Sequence, residues 1–366
     1  MLSKLSIKND NEAYRCSRCG FCRATCPVFE VKKVESWNAR GRMLLIKALN
    51  NGEIKPSKQL LERIYSCSLC EACEIDCPSQ IKVTDVISEM RQILYQSKIG
   101  PLSEQKPIIK SILTYGNIFE QKHKKNIFQM KKDVDAAVYV GCTASHSYYN
   151  MVDSLLKVLE SAGYRVDLIP NETCCGSFLE MLGATKEFEI QKEKNLEIFE
   201  KLPVNNIITL CPMCFTSLKK NAKGFNILHS TEVLSDLLDR EKLIQKRKLD
   251  MKMTYHDPCH LGRHSKIFDE PRAILEAING VKFVELEKNK IDSTCCGGPI
   301  RIPFMDIRTR MCEAILERAE KVNAEVISTS CPTCLHNLYA TSFDLPVSDV
   351  IQLLAYTMGL KNQFSQ

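Results

Sequence analysis

Thr173-Cys174-Cys175-Gly176 and Thr294-Cys295-Cys296-Gly297 are one tetrapeptide written twice, and reading outward from each meets the same landmarks in the same order. Before the first come AAVYVGC at Ala136–Cys142, a helical stretch through Leu159 and the apolar run RVDLIP (165–170); after it come a charged helix over Glu187–Lys201, the run NNIITL (205–210) and Cys211-Pro212-Met213-Cys214. Around the second stand MTYHDPC at Met253–Cys259, a helix over Pro271–Ile278 and VKFVEL (281–286). A helix over Arg308–Lys321, AEVISTS (324–330) and Cys331-Pro332-Thr333-Cys334 complete it. Self-similarity at a fixed period marks a repeated structural unit. Short apolar runs alternating with helical stretches predict a parallel α/β sheet in each copy. The binding crevice of such a sheet lies beyond the carboxyl ends of its strands. Each cysteine group follows a strand, so the five thiols of a copy are expected to converge on one edge.

The chain has 366 residues and a net charge of +6, with 44% hydrophobic and 26% charged residues, an ordinary balance for globular protein. The expected organisation is a first domain over 1–100, a linker over 101–133, and the two copies over 134–250 and 251–366. The linker has no cysteine, contains Pro101, Pro107 and Gly116, and reads as a short helix or two before the basic cluster Lys122–Lys125, Lys131 and Lys132. That cluster reads as a solvated face, with docking to an acidic partner or lipid as the sharper alternative. No nucleic-acid motif surrounds it. The start, MLSKLSIKND, has no apolar leader, and no apolar run is long enough to span a bilayer. A cytoplasmic chain without direct membrane insertion is the expectation.

Nineteen cysteines admit disulfides or metal. Disulfide scaffolds are short and secreted, whereas here nearly all cysteines fall in tight C-x-x-C or Cys-Cys groups that set several thiolates around one small object. Cys16, Cys19, Cys22 and Cys26, and again Cys67, Cys70, Cys73 and Cys77, follow C-x2-C-x2-C-x3-C-P. In this bacterial ferredoxin run the close triplet holds one cubane and the fourth cysteine, before proline, serves the other cluster. Cys16, Cys19, Cys22 and Cys77 are therefore assigned to one [4Fe–4S] cluster, and Cys67, Cys70, Cys73 and Cys26 to the second. Zinc sites share C-x2-C but do not call for the third and fourth cysteines at these spacings. The insert between the blocks favours helix and includes Arg40-Gly41-Arg42. It resembles the helical dicluster ferredoxin module of succinate dehydrogenase and heterodisulfide reductase relatives, so this portion is expected to be mainly α-helical.

Adjacent cysteines cannot easily chelate one tetrahedral ion, because their side chains diverge; they suit a larger object on which each sulfur meets different irons. With the flanking C-P-x-C groups, the repeats look like the cysteine-rich CCG domain. The whole chain resembles the D subunit of heterodisulfide reductase. The resemblance implies two noncubane [4Fe–4S] clusters, the first on Cys142, Cys174, Cys175, Cys211 and Cys214. The second would rest on Cys259, Cys295, Cys296, Cys331 and Cys334. It also implies an enzyme that takes electrons at the cubanes and cleaves a disulfide such as CoM-S-S-CoB between the copies. Expected partners are a flavoprotein donor, a membrane cytochrome b subunit holding the chain peripherally at the inner face of the membrane, or both. The same architecture occurs in iron–sulfur subunits of glycolate oxidase and anaerobic glycerol-3-phosphate dehydrogenase, which relay electrons from a flavin partner. Complete cysteine sets in both copies favour disulfide chemistry; the Cys295-Cys296-Gly297-Gly298-Pro299 continuation departs from the heterodisulfide reductase pattern.

His256, His260 and Arg263, with His264 beside them, flank Cys259, and His146 follows Cys142. These side chains could give protons to a leaving thiolate or anchor an anionic group; the plainer reading is hydrogen bonds that fix the loops. Cys312 reads as a core thiol and Trp37 as packing within the first module. No G-x-G-x-x-G or Walker sequence is present, so no flavin or nucleotide site is expected.

Overall fold

The computed structural model describes residues 10–121 and 130–363, so Lys122–Lys125 lie outside the described residues, while Lys131 and Lys132 are exposed. No strand precedes Ala136 among the described residues, and the first module is helical. Cys26 N-caps helix Pro27–Lys32, whose proline occupies a position with no amide to satisfy. Helix Ala39–Asn50 starts on Asn38, whose side chain accepts from Gly41 N at 2.9 Å. A Cβ at Gly41 would stand 2.0 Å from Glu35 O, so only glycine lets the preceding turn fold back here. Its neighbours are struts between the two cysteine blocks. Arg40 Nη1 donates to Arg18 O at 2.9 Å, and buried Arg42 donates to Arg63 O at 2.6 Å and Ser66 Oγ at 3.0 Å.

Copy one contains β1 (Ala136–Tyr139), β2 (Val166–Leu168), β3 (Asn206–Thr209) and β4 (Asn226–His229) in the order β2-β1-β3-β4. Copy two contains β5 (Met251–Tyr255), β6 (Val281–Phe283), β7 (Val326–Thr329) and β8 (Val347–Asp349) in the order β6-β5-β7-β8. Every pairing is parallel. Ala137 and Tyr139 join a core shared with the helical module, while Ala136 and Val138 face the core between the copies. Both faces of β1 are thus buried, which is why it reads as a continuous apolar run. The helices after β1 and β4, Tyr149–Ser161 and Ser230–Asp239, pack on Val350–Thr357 and Asp269–Ala277, the helices after β8 and β5. That reciprocal pairing relates the copies by an approximate two-fold axis.

Polar contacts, from buried to exposed, hold the helical module against the copies. Arg91 Nη1 donates to Met181 O at 2.8 Å, while its Nη2 reaches Ile64 O and Cys67 O at 2.8 and 2.6 Å. Glu30 pairs with Arg318 at 2.9 Å and Lys32 with Asp306 at 2.9 Å. Trp37 does not stay within its module: its ring meets Phe304 of copy two edge-on at 6.0 Å, with the Arg63 guanidinium 4.1 Å from its centroid. The segment after residue 100 forms helix Lys106–Tyr115 and then buttresses copy one, Gly116 O accepting from Cys174 N at 2.7 Å.

Candidate iron–sulfur centres

Cys16, Cys19, Cys22 and Cys77 line one small cavity in the helical module, and Cys73 reaches the same cavity. Cys19 is exposed at its outer edge, and the Phe21 amide there holds its thiol below the usual range. Cys26 lies between the blocks, within electrostatic reach of Cys22 on one side and of Cys67 and Cys70 on the other. Burial, with Cys67, Cys70 and Cys26 around it, holds Cys73 well above the usual range.

In each copy two cysteines stand where the central strands end. Cys142 and Cys211 follow β1 and β3, and Cys259 and Cys331 follow β5 and β7, the central strands of their sheets. Cys211 and Cys331 N-cap helices Pro212–Asn221 and Pro332–Tyr339, so Cys214 and Cys334 face back toward them from the first turn. The adjacent pairs differ from expectation. They do not directly follow β2 and β6, because those are edge strands, and a loop carries each pair back over the central strand ends.

The thiols then touch in the same order in both copies. In copy one Cys174 contacts Cys142, its neighbour Cys175 contacts Cys214, and Cys214 contacts Cys211. In copy two Cys259 Sγ and Cys295 Sγ are 3.8 Å apart, Cys296 Sγ and Cys334 Sγ 3.3 Å, and Cys334 contacts Cys331. Each adjacent pair thus sends its sulfurs to different partners. The Gly176 and Gly297 amides donate to Cys174 Sγ and Cys295 Sγ at 3.5 and 3.4 Å. Two further contacts join the groups. Cys70 of the helical module contacts Cys295, and Cys211 contacts Cys331, its own repeat counterpart, across the pseudo-two-fold axis.

Of the eleven cysteines in the copies, only Cys142 is half-exposed; the other ten, Cys312 included, are buried. Burial pushes Cys331 well up, so ionising such a cluster of thiols needs a compensating cation. Soft thiolate sets of this kind select iron–sulfur clusters over hard cations. The donor set therefore fits iron–sulfur clusters.

The polar residues singled out beside Cys259 divide in two. Arg263 is committed to backbone: Nε donates to Cys70 O at 2.5 Å, and Nη1 to Ile291 O at 3.0 Å and Ser293 O at 2.5 Å. It locks the second ferredoxin block to the Cys295 loop. His264 supports the same joint through Leu69 O at 2.9 Å and Glu71 at 3.2 Å. His260 stacks on His264 at 4.2 Å and meets Thr216 Oγ1 at 3.2 Å through Nδ1, leaving Nε2 buried without a partner. An imidazole nitrogen of His256 and the sulfurs of Cys296 and Cys334 lie within 4.8 Å of one another. Burial pushes His256 and His264 down to about 4, and His260 well below its usual value. His146 stacks on Phe119 at 4.7 Å.

Two groups escape a reading of the sequence. Arg301 lies beside Cys142 and Cys296, burial holding its guanidinium below the usual range. Glu172 accepts from Val140 N and Gly141 N at 2.6 and 2.7 Å, and burial pushes its carboxyl up to about 8. Each acts across a long sequence separation, and no local motif marks it. A cavity of about 590 Å³ opens where the three modules meet, with Glu71, Asp85, Glu180, Thr216, His260 and His264 in its walls. No described helix is long and apolar enough to cross a membrane.

The profile of a family described as "Cysteine-rich domain" matches residues 136–219 and 253–339, and that of a "4Fe-4S dicluster domain" matches 12–81. Fold, thiol sets and these matches together define an iron–sulfur oxidoreductase assembled from a dicluster module and two cysteine-rich domains. The D subunit of the dihydromethanophenazine:CoB–CoM heterodisulfide reductase of Methanosarcina acetivorans is 30% identical over 94% of this chain and 94% of its own length. The B subunit of the fumarate reductase (CoM/CoB) of Methanothermobacter marburgensis is 29% identical over 87% of this chain and 66% of its own. This chain belongs to the family of heterodisulfide reductase D subunits. A crystal structure of a hypothetical protein from Helicobacter pylori shares the fold, with a TM-score of 0.63 at 15% identity, covering 98% of this chain and 74% of that one.

Proposed function

We propose that this chain is the catalytic subunit of a heterodisulfide-reductase-like complex, in which a small-molecule disulfide is reduced to two thiols between the cysteine-rich copies. The observation that carries the proposal is the unbroken succession of thiols from Cys70 to Cys295, through copy two to Cys331, and across to Cys211. Cys16, Cys19, Cys22 and Cys77 would hold one cubane, and Cys67, Cys70, Cys73 and Cys26 the other. Cys142, Cys174, Cys175, Cys211 and Cys214 would hold one noncubane cluster, and Cys259, Cys295, Cys296, Cys331 and Cys334 the second. Such clusters supply one-electron transfer and iron that binds thiolate. Reduction of RSSR′ consumes two electrons and two protons and gives RSH and R′SH.

The chain's own groups order this chemistry. Half-exposed Cys142 marks the solvent side of the centres, and Arg301 beside it would draw in a disulfide with an anionic arm. CoM-S-S-CoB, implied by the relatives' names, is the candidate substrate. His260 and His146 would supply hydrogen-bond donors to departing sulfur, while His256 and Arg263 act on the thiols and the module joint. The expected partners are a flavoprotein electron donor, a membrane cytochrome b subunit, or both; through the latter the chain would sit peripherally on the cytoplasmic face.

One observation favours a second reading. The cavity at the three-module junction carries Glu71, Asp85 and Glu180 in its walls, a poor match to an anionic disulfide. An electron-transfer subunit serving a flavin-linked glycolate, lactate or glycerol-3-phosphate dehydrogenase needs no disulfide site. Iron analysis and EPR of anaerobic protein separate the readings. About sixteen irons per chain are expected, with a thiol-dependent paramagnetic signal on partial oxidation and reduced viologen consumed when CoM-S-S-CoB is added. About eight irons, or full clusters indifferent to every disulfide and thiol, would sink the catalytic reading.

A further inference from the structure

The position three residues before the first cysteine of each copy is Tyr139 in copy one and His256 in copy two. The two are structural counterparts as well. Tyr139 ends β1 opposite Thr209, and His256 follows β5 with its amide on Ser328 O, next to Thr329. Thr209 and Thr329 each stand two residues before a Cys-Pro-x-Cys group. The side chains then diverge. Tyr139 also stands within reach of Cys175 and Cys214, but its OH donates to Thr173 O and so spends its proton on backbone. His256 is 1% exposed, its Nε2 has no partner, and its imidazole stands by Cys296 and Cys334. A buried ring nitrogen without a partner is costly unless something absent from the protein atoms satisfies it.

A second position differs in the same sense. Three residues after the last cysteine of each copy stand Ser217 and Asn337. Ser217 Oγ reaches only Cys175 O, at 3.4 Å. Asn337 Nδ2 reaches Cys296 O at 3.2 Å and also Cys296 Sγ at 3.6 Å. Copy two thus sets an imidazole nitrogen and an amide N–H beside the Cys296–Cys334 pair, whereas Tyr139 and Ser217 of copy one spend their hydroxyls on backbone carbonyls.

We infer that His256, assisted by Asn337, donates an N–H···S hydrogen bond to the cluster thiolates at the Cys296–Cys334 pair, a bond for which the counterpart pair Cys175–Cys214 has no matching donor, making the two repeat-related centres unequal in reduction potential. The inference rests on the proposal that both copies hold clusters. A hydrogen bond to cluster sulfur stabilises the more negative, reduced state and raises the potential. His256 is in this sense a positioning residue: it acts through the thiolates. Electrons entering by Cys70 and Cys295 would come to rest on copy two before copy one fills.

The test is an anaerobic EPR-monitored redox titration of the full chain, with pulsed EPR on protein carrying 15N-histidine. Two noncubane centres of distinct potential are expected, with weak 15N coupling at the higher-potential one. His256→Phe should shift that centre about tenfold toward its oxidised form, equivalent to about 59 mV for one electron. His256→Asn, which keeps an N–H, should restore part of the shift, and the cubanes and the other noncubane centre should stay put. Asn337→Ser, copying Ser217, should give a smaller shift of the same sign, should the histidine variants lose iron. Equal potentials in the parent protein, no 15N coupling, or an iron-replete His256→Phe protein with unchanged potentials would overturn the inference. Coupling strong enough for a direct Fe–N bond would overturn it in favour of ligation. A parent chain with about eight irons would instead defeat the cluster assignment beneath it.

Discussion

Copy one and copy two share a strand order, a thiol order and a two-fold helix layer, but they meet the rest of the molecule differently. Copy two is joined to the second ferredoxin block thiol to thiol, through Cys70 and Cys295, and the joint is locked by Arg263. Copy one meets the helical module through Arg91, whose guanidinium bridges Met181 O and Cys67 O. Copy one also holds the half-exposed thiol, Cys142, while its counterpart Cys259 is buried. A duplicated fold thus holds one thiol set buried against the ferredoxin block and another with a thiol open to solvent; under the proposed function these would be an inner centre that receives electrons and an outer centre. Symmetry of the backbone leaves that division to side chains.

The sharpest break of this comparison is to empty one copy at a time. Replacing Cys295 and Cys296 by alanine should remove about four irons and reduce copy one's reduction by a donor acting at the ferredoxin module to background. Replacing Cys174 and Cys175 should remove as many irons yet leave copy two reducible. Rapid-freeze EPR reads both, and identical behaviour of the two proteins would end the inner–outer distinction. Next in size are the buried arginines. Arg263→Leu and Arg91→Leu should each cost roughly 3 kcal/mol, because several carbonyls lose a charged donor at once. Anaerobic urea titration measures that loss, and only Arg263→Leu should also alter the copy-two signals.

The third prediction concerns the caps after the last strands, His229 in copy one and Asp349 in copy two. Asp349 is buried and its carboxyl is pushed up to about 7 from 3.8. A carboxyl raised on folding stabilises below its unfolded value, and that contribution is lost as pH rises through about 7. Asp349→Asn keeps the cap to Ile351 N and should remove roughly 2–4 kcal/mol of pH-dependent loss between pH 4 and 8. Parallel pH–stability curves for the two proteins would contradict this. The smallest effect is at Gly141, where φ is +78° and an added Cβ would meet Cys214 Sγ at 3.2 Å. Gly141→Ala should cost about 1–2 kcal/mol and perturb only copy-one spectra, whereas Pro258→Ala at the matching position should do neither.

Much of this is legible in the chain because it is local or repeated. The β1, β3, β5 and β7 runs, the helices between them and the two ferredoxin blocks carry their own spacing. Strands β4 and β8 do not show, since NILH and VSD are half polar or more and no cysteine group follows to mark their ends, and with them go the helices Ser230–Asp239 and Val350–Thr357. Residues 101–133 read as a linker, but Gly116 O holds the Cys174 amide, a contact with no sequence signature. Arg263 can be suspected beside a cysteine, but its partners, Cys70 O and Ser293 O, exist only once three modules pack. The tie between Cys211 and Cys331 likewise requires the two-fold axis, which sequence identity between the copies does not orient.

The chain's single tryptophan lies at the seam where the helical module meets copy two. Trp37 O sits 3.9 Å from Cys26 Sγ, and its ring rests against Phe304 and the Arg63 guanidinium. Its light emission should therefore be dark when iron is loaded and the seam closed, and brighten when either fails. One optical signal, without any label, would then report whether the electron-supplying module is seated on the centre it serves.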